Sequence, residues 1–386
     1  MKFSINKTEL QNAISVVLKG ISTRSTLPVL SGILLSAEDD GIVLQSTDLE
    51  LSIKYTAQAL VEEPGRTVVP GKLMGDIVKS LPDAAVVVSA SAEGNDAQII
   101  CDNSAFSIRT LSAGDFPGFP KVSPDETLTL PFETFSQMVK RVAKVVSKDE
   151  SRAILTGVLL EKEGDTLRMV ATDSYRLALT EAKTSGMGGS QADPDSEGGQ
   201  ESADEGGSSL NVVIGGTFLN DVAGLQAKGE SVEIGVSENQ IIISCANTTL
   251  ISRRIEGQYP NYRQLLPDTY SARAKFSVSE LSSAVKRASL MSSSSAPIKI
   301  SLVPDPVNLA TVTVNSVDLG SVRENIDCPI EGNEMEIAFN SAYLMDGFAA
   351  MQQEEVYFDV EAPLKPGIFH TMDSNEFLYL IMPVRI

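Results

Sequence analysis

The sequence predicts an α+β fold made of three tandem copies of one unit. Three observations predict it: a segment that occurs three times, a strand-and-helix start that occurs three times, and a nearly constant period once one acidic insertion is removed. The recurring segment reads Val69-Pro70-Gly71-Lys72-Leu73-Met74-Gly75-Asp76, then Ile214-Gly215-Gly216-Thr217-Phe218-Leu219-Asn220-Asp221, then Phe339-Asn340-Ser341-Ala342-Tyr343-Leu344-Met345-Asp346. In each copy an apolar residue is followed by an apolar pair four and five positions on, and by Asp at the seventh. Each copy follows an alternating strand (67–69, 211–214, 335–339) and opens a helix, and a further strand starts at Val86, Val232 or Val356. Repetition at a fixed period is the mark of tandem architecture.

The Asp-to-Asp spacings are 145 and 125. The first contains residues 185–209, with seven glycines, six acids and no basic residue. Such a stretch cannot bury enough apolar surface to order itself and reads as a disordered loop. Without its 25 residues the first spacing becomes 120. The second recurring start is Lys2-Phe3-Ser4-Ile5, Leu128-Thr129-Leu130 and Lys275-Phe276-Ser277-Val278, each an alternating strand before a helix. Each repeat therefore holds two half-units, each a strand, a helix and several strands. Boundaries fall near Phe116-Pro117-Gly118-Phe119-Pro120 and near 259–267, both turn-rich. The domains are then 1–125, 126–271 and 272–386.

At roughly 100–200 residues per domain, 386 residues suit two to four domains, and 42% hydrophobic content suits sizeable cores. No apolar run approaches the roughly 18 residues of a membrane span, and the start lacks a signal-peptide stretch, so the expectation is a cytosolic protein. Cys101, Cys245 and Cys328 are odd in number and far apart, so they read as ordinary half-buried strand residues rather than a disulfide framework or a zinc site. The single histidine, His370, reads as an outward-facing strand residue, which leaves a Ser/His/Asp triad dependent on one residue. Neither a Gly-x-Gly-x-x-Gly nor a P-loop pattern occurs, and no metal, cofactor or catalytic set is expected.

The formal charge of −20 argues at first against a nucleic-acid partner, but distribution matters more than the total. In the expected helix 134–148, Phe135, Met138, Val139, Val142, Val145 and Val146 share one face at 100° per residue. Lys140, Arg141, Lys144 and Lys148 fall on the other, with no acid. Solvated helices usually mix both signs. The six expected helices, 7–20, 71–81, 134–148, 217–228, 279–291 and 340–352, carry +1, +1, +4, 0, +1 and −1, so the rest of the chain carries −26. Helices lining one surface would make that surface basic inside an acidic body. It would attract phosphates without reading bases. The helices lack an aromatic platform and Trp is absent, which favours duplex tracking over single-strand stacking.

Over its whole length the chain resembles the bacterial DNA polymerase III β subunit family, the sliding clamps. The resemblance rests on Met1-Lys2-Phe3, Thr26-Leu27-Pro28-Val29-Leu30, Thr47-Asp48-Leu49-Glu50, Ala113-Gly114-Asp115-Phe116-Pro117, Val170-Ala171-Thr172-Asp173, Tyr259-Pro260-Asn261-Tyr262-Arg263 and Met382-Pro383-Val384-Arg385-Ile386, in family order. It implies three DNA-clamp domains, each of two β-α-β-β-β half-units. It further implies a head-to-tail homodimer ring with helices lining the hole and sheets outside, and a non-catalytic processivity factor that is cytoplasmic and nucleoid-associated. Its implied partners are double-stranded DNA, the DNA polymerase III alpha subunit, the clamp loader delta subunit, and other polymerases and repair proteins. By matching position, Arg24, Lys140, Arg141, Lys144, Lys148, Arg152, Lys19, Lys72, Lys79, Lys286 and Arg287 would face DNA. A pocket for short linear peptides would be formed by Leu155, Thr172, Ser174, Tyr175, Arg176, Leu177, Pro260, Leu265, Asn340, Tyr343, Leu364, Met382, Pro383, Val384, Arg385 and Ile386. Phe106 on one end and Leu290-Met291 on the other would form the dimer seam. Ser174-Tyr175 stands where the family commonly has Gly-His, Gln264 where it has a basic residue, and Val384 and Ile386 where it has Met and Leu.

Two other readings compete. One is an enzyme using Asp48 and Asp173, although a Thr-Asp pair that occurs twice fits repeated turns better than one active site. The other is an acidic peptide-binding scaffold that does not act on DNA.

Overall fold

Six times along the chain an alternating strand runs straight into a helix. Strand Lys2–Asn6 buries Phe3 and Ile5, and the Asn6 side chain then accepts a hydrogen bond from the Thr8 amide, which starts α1, Lys7–Val17. An N-cap of this kind satisfies one of the orphan amides of a first turn. The other helices are α2 (Gly71–Ser80), α3 (Phe132–Val142), α4 (Gly216–Ala223), α5 (Val278–Ser289) and α6 (Ser341–Ala350). Asn340 caps α6 as Asn6 caps α1. Three antiparallel strands follow every helix, as the expected half-unit requires, and Leu60–Glu63 and Ile330–Gly332 are short additions to it. This computed structural model describes residues 1–22, 26–38, 40–91, 95–184, 210–267, 269–293, 296–371 and 376–385. The acidic stretch 185–209, expected as a loop, lies outside them, as do Arg24 and Ile386.

The chain divides into two compact units. The first comprises Met1–Glu133 and Gly224–Arg254. Its larger sheet has eight strands, in which Thr248–Arg253 pairs antiparallel with Leu51–Ala57. Its five-stranded sheet ends at Ser104–Arg109. Leu10, Ala13, Ile14 and Val17 of α1 are buried. A side chain at Gly75 of α2 would press on the end of the Leu18 side chain just past α1, which would have to shift.

The second unit comprises Thr134–Ala223 and Ile255–Ile386. In its nine-stranded sheet, Arg176–Lys183 pairs antiparallel with Phe377–Ile381, setting Leu177 opposite Leu380. Its four-stranded sheet ends at Gly320–Asp327. In its core Phe358 stacks on Phe369 with ring centroids 4.4 Å apart and meets Phe339 edge-on at 6.0 Å. Gly347 of α6 lies where any Cβ would overlap the Tyr379 ring.

The helix expected at 134–148 stops at Val142. Val139, Val142, Val145 and Val146 are β-branched and disfavour continued helix. The Val145 amide turns back to the Val142 carbonyl at 2.9 Å, and the Ser147 amide leaves the helix for the Leu155 carbonyl. The helix expected at 217–228 stops at Ala223, just before Gly224. Shortened in this way, the six helices carry 0, +1, +1, −1, +1 and −1, a total of +1. The expected concentration of positive charge on the helices is therefore overturned, because Lys19, Lys144, Lys148 and Lys228 stand in the connections that follow them and Glu133 joins α3.

Candidate functional site

The Thr172–Arg176 segment is a tight reversal between strands Thr166–Thr172 and Arg176–Lys183. The Asp173 carboxylate accepts the Tyr175 and Arg176 amides at 2.9 and 3.0 Å, and the Thr172 hydroxyl accepts the Ser174 amide at 3.2 Å. Ser174 takes a left-handed backbone, φ 79°. The turn thrusts Tyr175 outward, where it is 59% exposed, and turns Arg176 inward, where it is 8% exposed. The Tyr175 ring stacks on Tyr343 of α6 with centroids 6.4 Å apart. The Met382 amide donates to the Tyr175 carbonyl at 2.8 Å, so the chain beyond the last strand runs beside the turn.

Arg176 holds this arrangement together. Its Nε donates to Asp173 at 3.0 Å. Nη1 donates to Asp346 at 2.6 Å and to the Tyr379 hydroxyl at 3.3 Å, and Nη2 to the Lys144 carbonyl at 3.2 Å. Its guanidinium lies 4.6 Å from the Tyr343 ring centroid. Burial works against this charge, and Tyr379, Asp346 and Asp173 outweigh it, so the guanidinium is held more firmly protonated than usual. A buried charge persists only when paired and hydrogen-bonded, which is the case here.

Of the residues expected in the pocket, Thr172, Ser174, Tyr175, Arg176, Tyr343 and Met382 are joined by these bonds and ring contacts. Asn340 caps α6 ahead of Tyr343. Val384 donates to the Ala338 carbonyl. Leu155, Thr172 and Leu177 are buried; Leu177 belongs to a core cluster with Leu159, Val170, Leu179 and Leu380 and is a strand core residue rather than exposed surface. Leu265, Leu364 and Met382 are exposed, as are Pro260 and Arg385, and Pro383 is half-buried. Asp173, Asp346 and Tyr379 were not among the residues expected in the pocket, although Asp173 was weighed as an enzyme carboxylate. Two of them carried a signal: Asp346 ends the recurring segment and Asp173 belongs to a Thr-Asp pair.

Among the residues expected to face DNA, Lys140, Lys144, Lys148, Arg152, Lys286 and Arg287 of the second unit are exposed, as are Lys19, Lys72 and Lys79 of the first. Arg152 is paired with Asp149 at 3.0 Å, and Arg287 grips Glu324 with two bonds of 2.9 and 2.8 Å. Arg141 corrects the helical projection. It is 9% exposed, donating to the Thr180 hydroxyl and the Glu376 carbonyl at 3.2 Å each, because the strand pair 176–183 and 377–381 covers the end of α3. Burial lowers its pKa against the pull of Glu376, and its Nε finds no partner among the described residues. Phe106 sits on the edge strand Ser104–Arg109 and is 37% exposed, while Leu290, just past α5, is 79% exposed and Met291 half-buried.

The remaining polar candidates have structural work. Asp48 accepts the Glu50 and Leu51 amides at 3.0 and 2.7 Å, as Asp173 does in its own turn, so both carboxylates are turn formers. His370 is half-buried, with Nε2 2.9 Å from the Asp359 carboxylate that Arg273 also grips. Burial pushes the Cys245 thiol up to about 11 and the Cys328 thiol up to about 12, the reverse of an activated nucleophile. Cys328 lies between strands rather than in one.

Residues 1–120, 129–193 and 263–385 match the N-terminal, central and C-terminal domain families of the DNA polymerase III beta subunit. The chain is 31% identical to the beta sliding clamp of Synechocystis sp. and 29% identical to that of Streptomyces coelicolor, each alignment covering 100% of both chains. It superposes on the crystal structure of the Bacillus subtilis DNA polymerase sliding clamp with a TM-score of 0.88 at 29% identity, covering 100% of this chain and 99% of that one. The Pseudomonas aeruginosa clamp bound to griselimycin gives 0.87 at 26% identity, covering 100% of both. With the six half-units and the turn formers already in place, the chain belongs to the DNA polymerase III beta subunit family, the non-catalytic DNA sliding clamps that make the polymerase processive.

Proposed function

We propose that each copy presents the surface around Tyr175 and Tyr343 to short linear peptides of partner proteins, among them the DNA polymerase III alpha subunit and the clamp loader delta subunit. We propose too that two copies close head to tail around double-stranded DNA as three clamp domains each, 1–125, 126–271 and 272–386. The observation that carries the peptide reading is the exposed Tyr175 ring stacked on Tyr343 beside Met382. Apolar surface left open and rimmed by polar groups marks an interaction site, and an aromatic pair held rigid costs little to order. Replacing Tyr175 with Ala should weaken a fluorescein-labelled alpha-subunit motif peptide about tenfold, roughly 1.4 kcal/mol. Unchanged affinity would contradict the reading.

The ring reading is supported by two sheet edges. Ser104–Arg109 and Gly320–Asp327 each end a sheet, and most of their side chains are exposed. An edge strand offers unpaired backbone groups to another chain, and a contact between two different patches closes a ring when the rotation allows. Phe106→Asp should turn the dimer into a monomer in sedimentation velocity; a dimer that survives it argues against this seam. Lys19, Lys72, Lys79, Lys140, Lys144, Lys148 and Lys286 would then meet phosphates. With helices near neutral, that contact is weak and independent of base sequence, as sliding requires.

A further inference from the structure

We propose that Arg176 is a positioning residue that couples peptide occupancy to DNA contact, because one guanidinium touches both the peptide platform and the segment that carries Lys144 and Lys148. This rests on the reading just given. On one side the guanidinium lies against the Tyr343 ring, 4.6 Å from its centroid, and Tyr343 in turn supports the exposed Tyr175. On the other it holds the Lys144 carbonyl at 3.2 Å. Asp173 holds its Nε, and Asp346 and Tyr379 hold its Nη1. The guanidinium is a rigid plane, so it cannot follow Tyr343 without changing its bond to Lys144.

The Lys144 segment is able to respond. It lies beyond the last turn of α3, outside any strand, and is tied by the Val145 and Ser147 amides. A cavity of about 640 Å³ lies beside it, lined by Lys144, Lys148, Arg176, Asp346 and the start of α4, which leaves the backbone room to shift. The lysine side chains are exposed, so a shift of the carbonyl moves the charges a phosphate would meet. A peptide that clamps Tyr175 against Tyr343 holds the guanidinium still and with it the Lys144 segment in one position. A phosphate gripping Lys144 and Lys148 does the same from the other end. Coupling of this kind is reciprocal: whatever DNA does to peptide affinity, peptide does to DNA affinity.

The experiment uses the full chain and the fluorescein-labelled alpha-subunit motif peptide. Affinity is measured by anisotropy for the free clamp and for clamp loaded by the cognate loader on nicked circular DNA. The wild-type clamp should bind the peptide about fivefold more tightly when loaded. Arg176→Lys keeps a positive charge for Asp346 but not the plane that spans Tyr343 and Lys144, and should bring the ratio to about one. Asp346→Asn, which keeps a hydrogen-bond acceptor, should retain at least half of the wild-type ratio. Equal affinities for free and loaded wild-type clamp, with peptide binding and DNA retention both intact, overturn the coupling alone. Loss of either binding overturns the reading beneath it and the coupling with it.

Discussion

At Thr47–Leu51 and at Thr172–Arg176 the chain makes the same reversal with the same bonds. Asp48 and Asp173 each accept two amides; Thr47 and Thr172 each accept the amide two residues on; Leu49 and Ser174 both take left-handed backbone, at φ 80° and 79°. The surroundings then diverge. In the first turn Glu50 and Leu51 follow, and Thr47 meets the Ser52 hydroxyl at 2.9 Å. In the second Tyr175 and Arg176 follow, and Arg176 reaches Asp346 on α6, 170 positions away. The backbone device is therefore common to both, and the proposed peptide surface differs through the two residues placed on it. An arginine in the position of Leu51 gathers two carboxylates, a tyrosine hydroxyl and a backbone carbonyl, and with them fixes the ring that Tyr175 stacks on.

Substituting the two aspartates separates the device from the site. Asp173→Ala frees two amides and removes one partner of a buried guanidinium, and should cost about 2–4 kcal/mol in urea unfolding. Asp48→Ala frees amides alone and should cost about 1–2 kcal/mol. Peptide affinity should fall more than about tenfold in the first and stay unchanged in the second. Equal losses of affinity would mean that the turns are not specialised. Ser174→Gly and Leu49→Gly each relieve a left-handed backbone, offset in part by the greater freedom of glycine in the unfolded chain, and each should gain about 0.5 kcal/mol. A gain at Leu49 with a loss at Ser174 would show that the 3.0 Å bond from Arg152 to the Ser174 hydroxyl outweighs the backbone effect.

The parts legible in the sequence are those set by neighbours along the chain. The alternating strands, the helix starts and the Asp that ends each recurring segment are local, and all six helices begin within two residues of their expected positions. The end of α3 was hidden because the valine stripe keeps its helical spacing past Val142 although the backbone has left the helix. Arg141 was misplaced for a related reason. Projection at 100° per residue sets it among lysines, but Thr180 and Glu376 come from strands far along the chain and enclose it. The Arg176 network was hidden for the same cause, since apart from Asp173 its partners Asp346, Tyr379 and Lys144 come from elements distant along the chain.

The proposed ring would hold DNA by enclosing it rather than by gripping it. Load the clamp onto nicked circular DNA with the cognate loader, remove free protein, cut the circle once, and measure what stays bound at moderate salt. A ring that encloses DNA should stay on the uncut circle and leave rapidly after cutting. Clamp that remains on the linear molecule, or that leaves both forms equally fast, would contradict it.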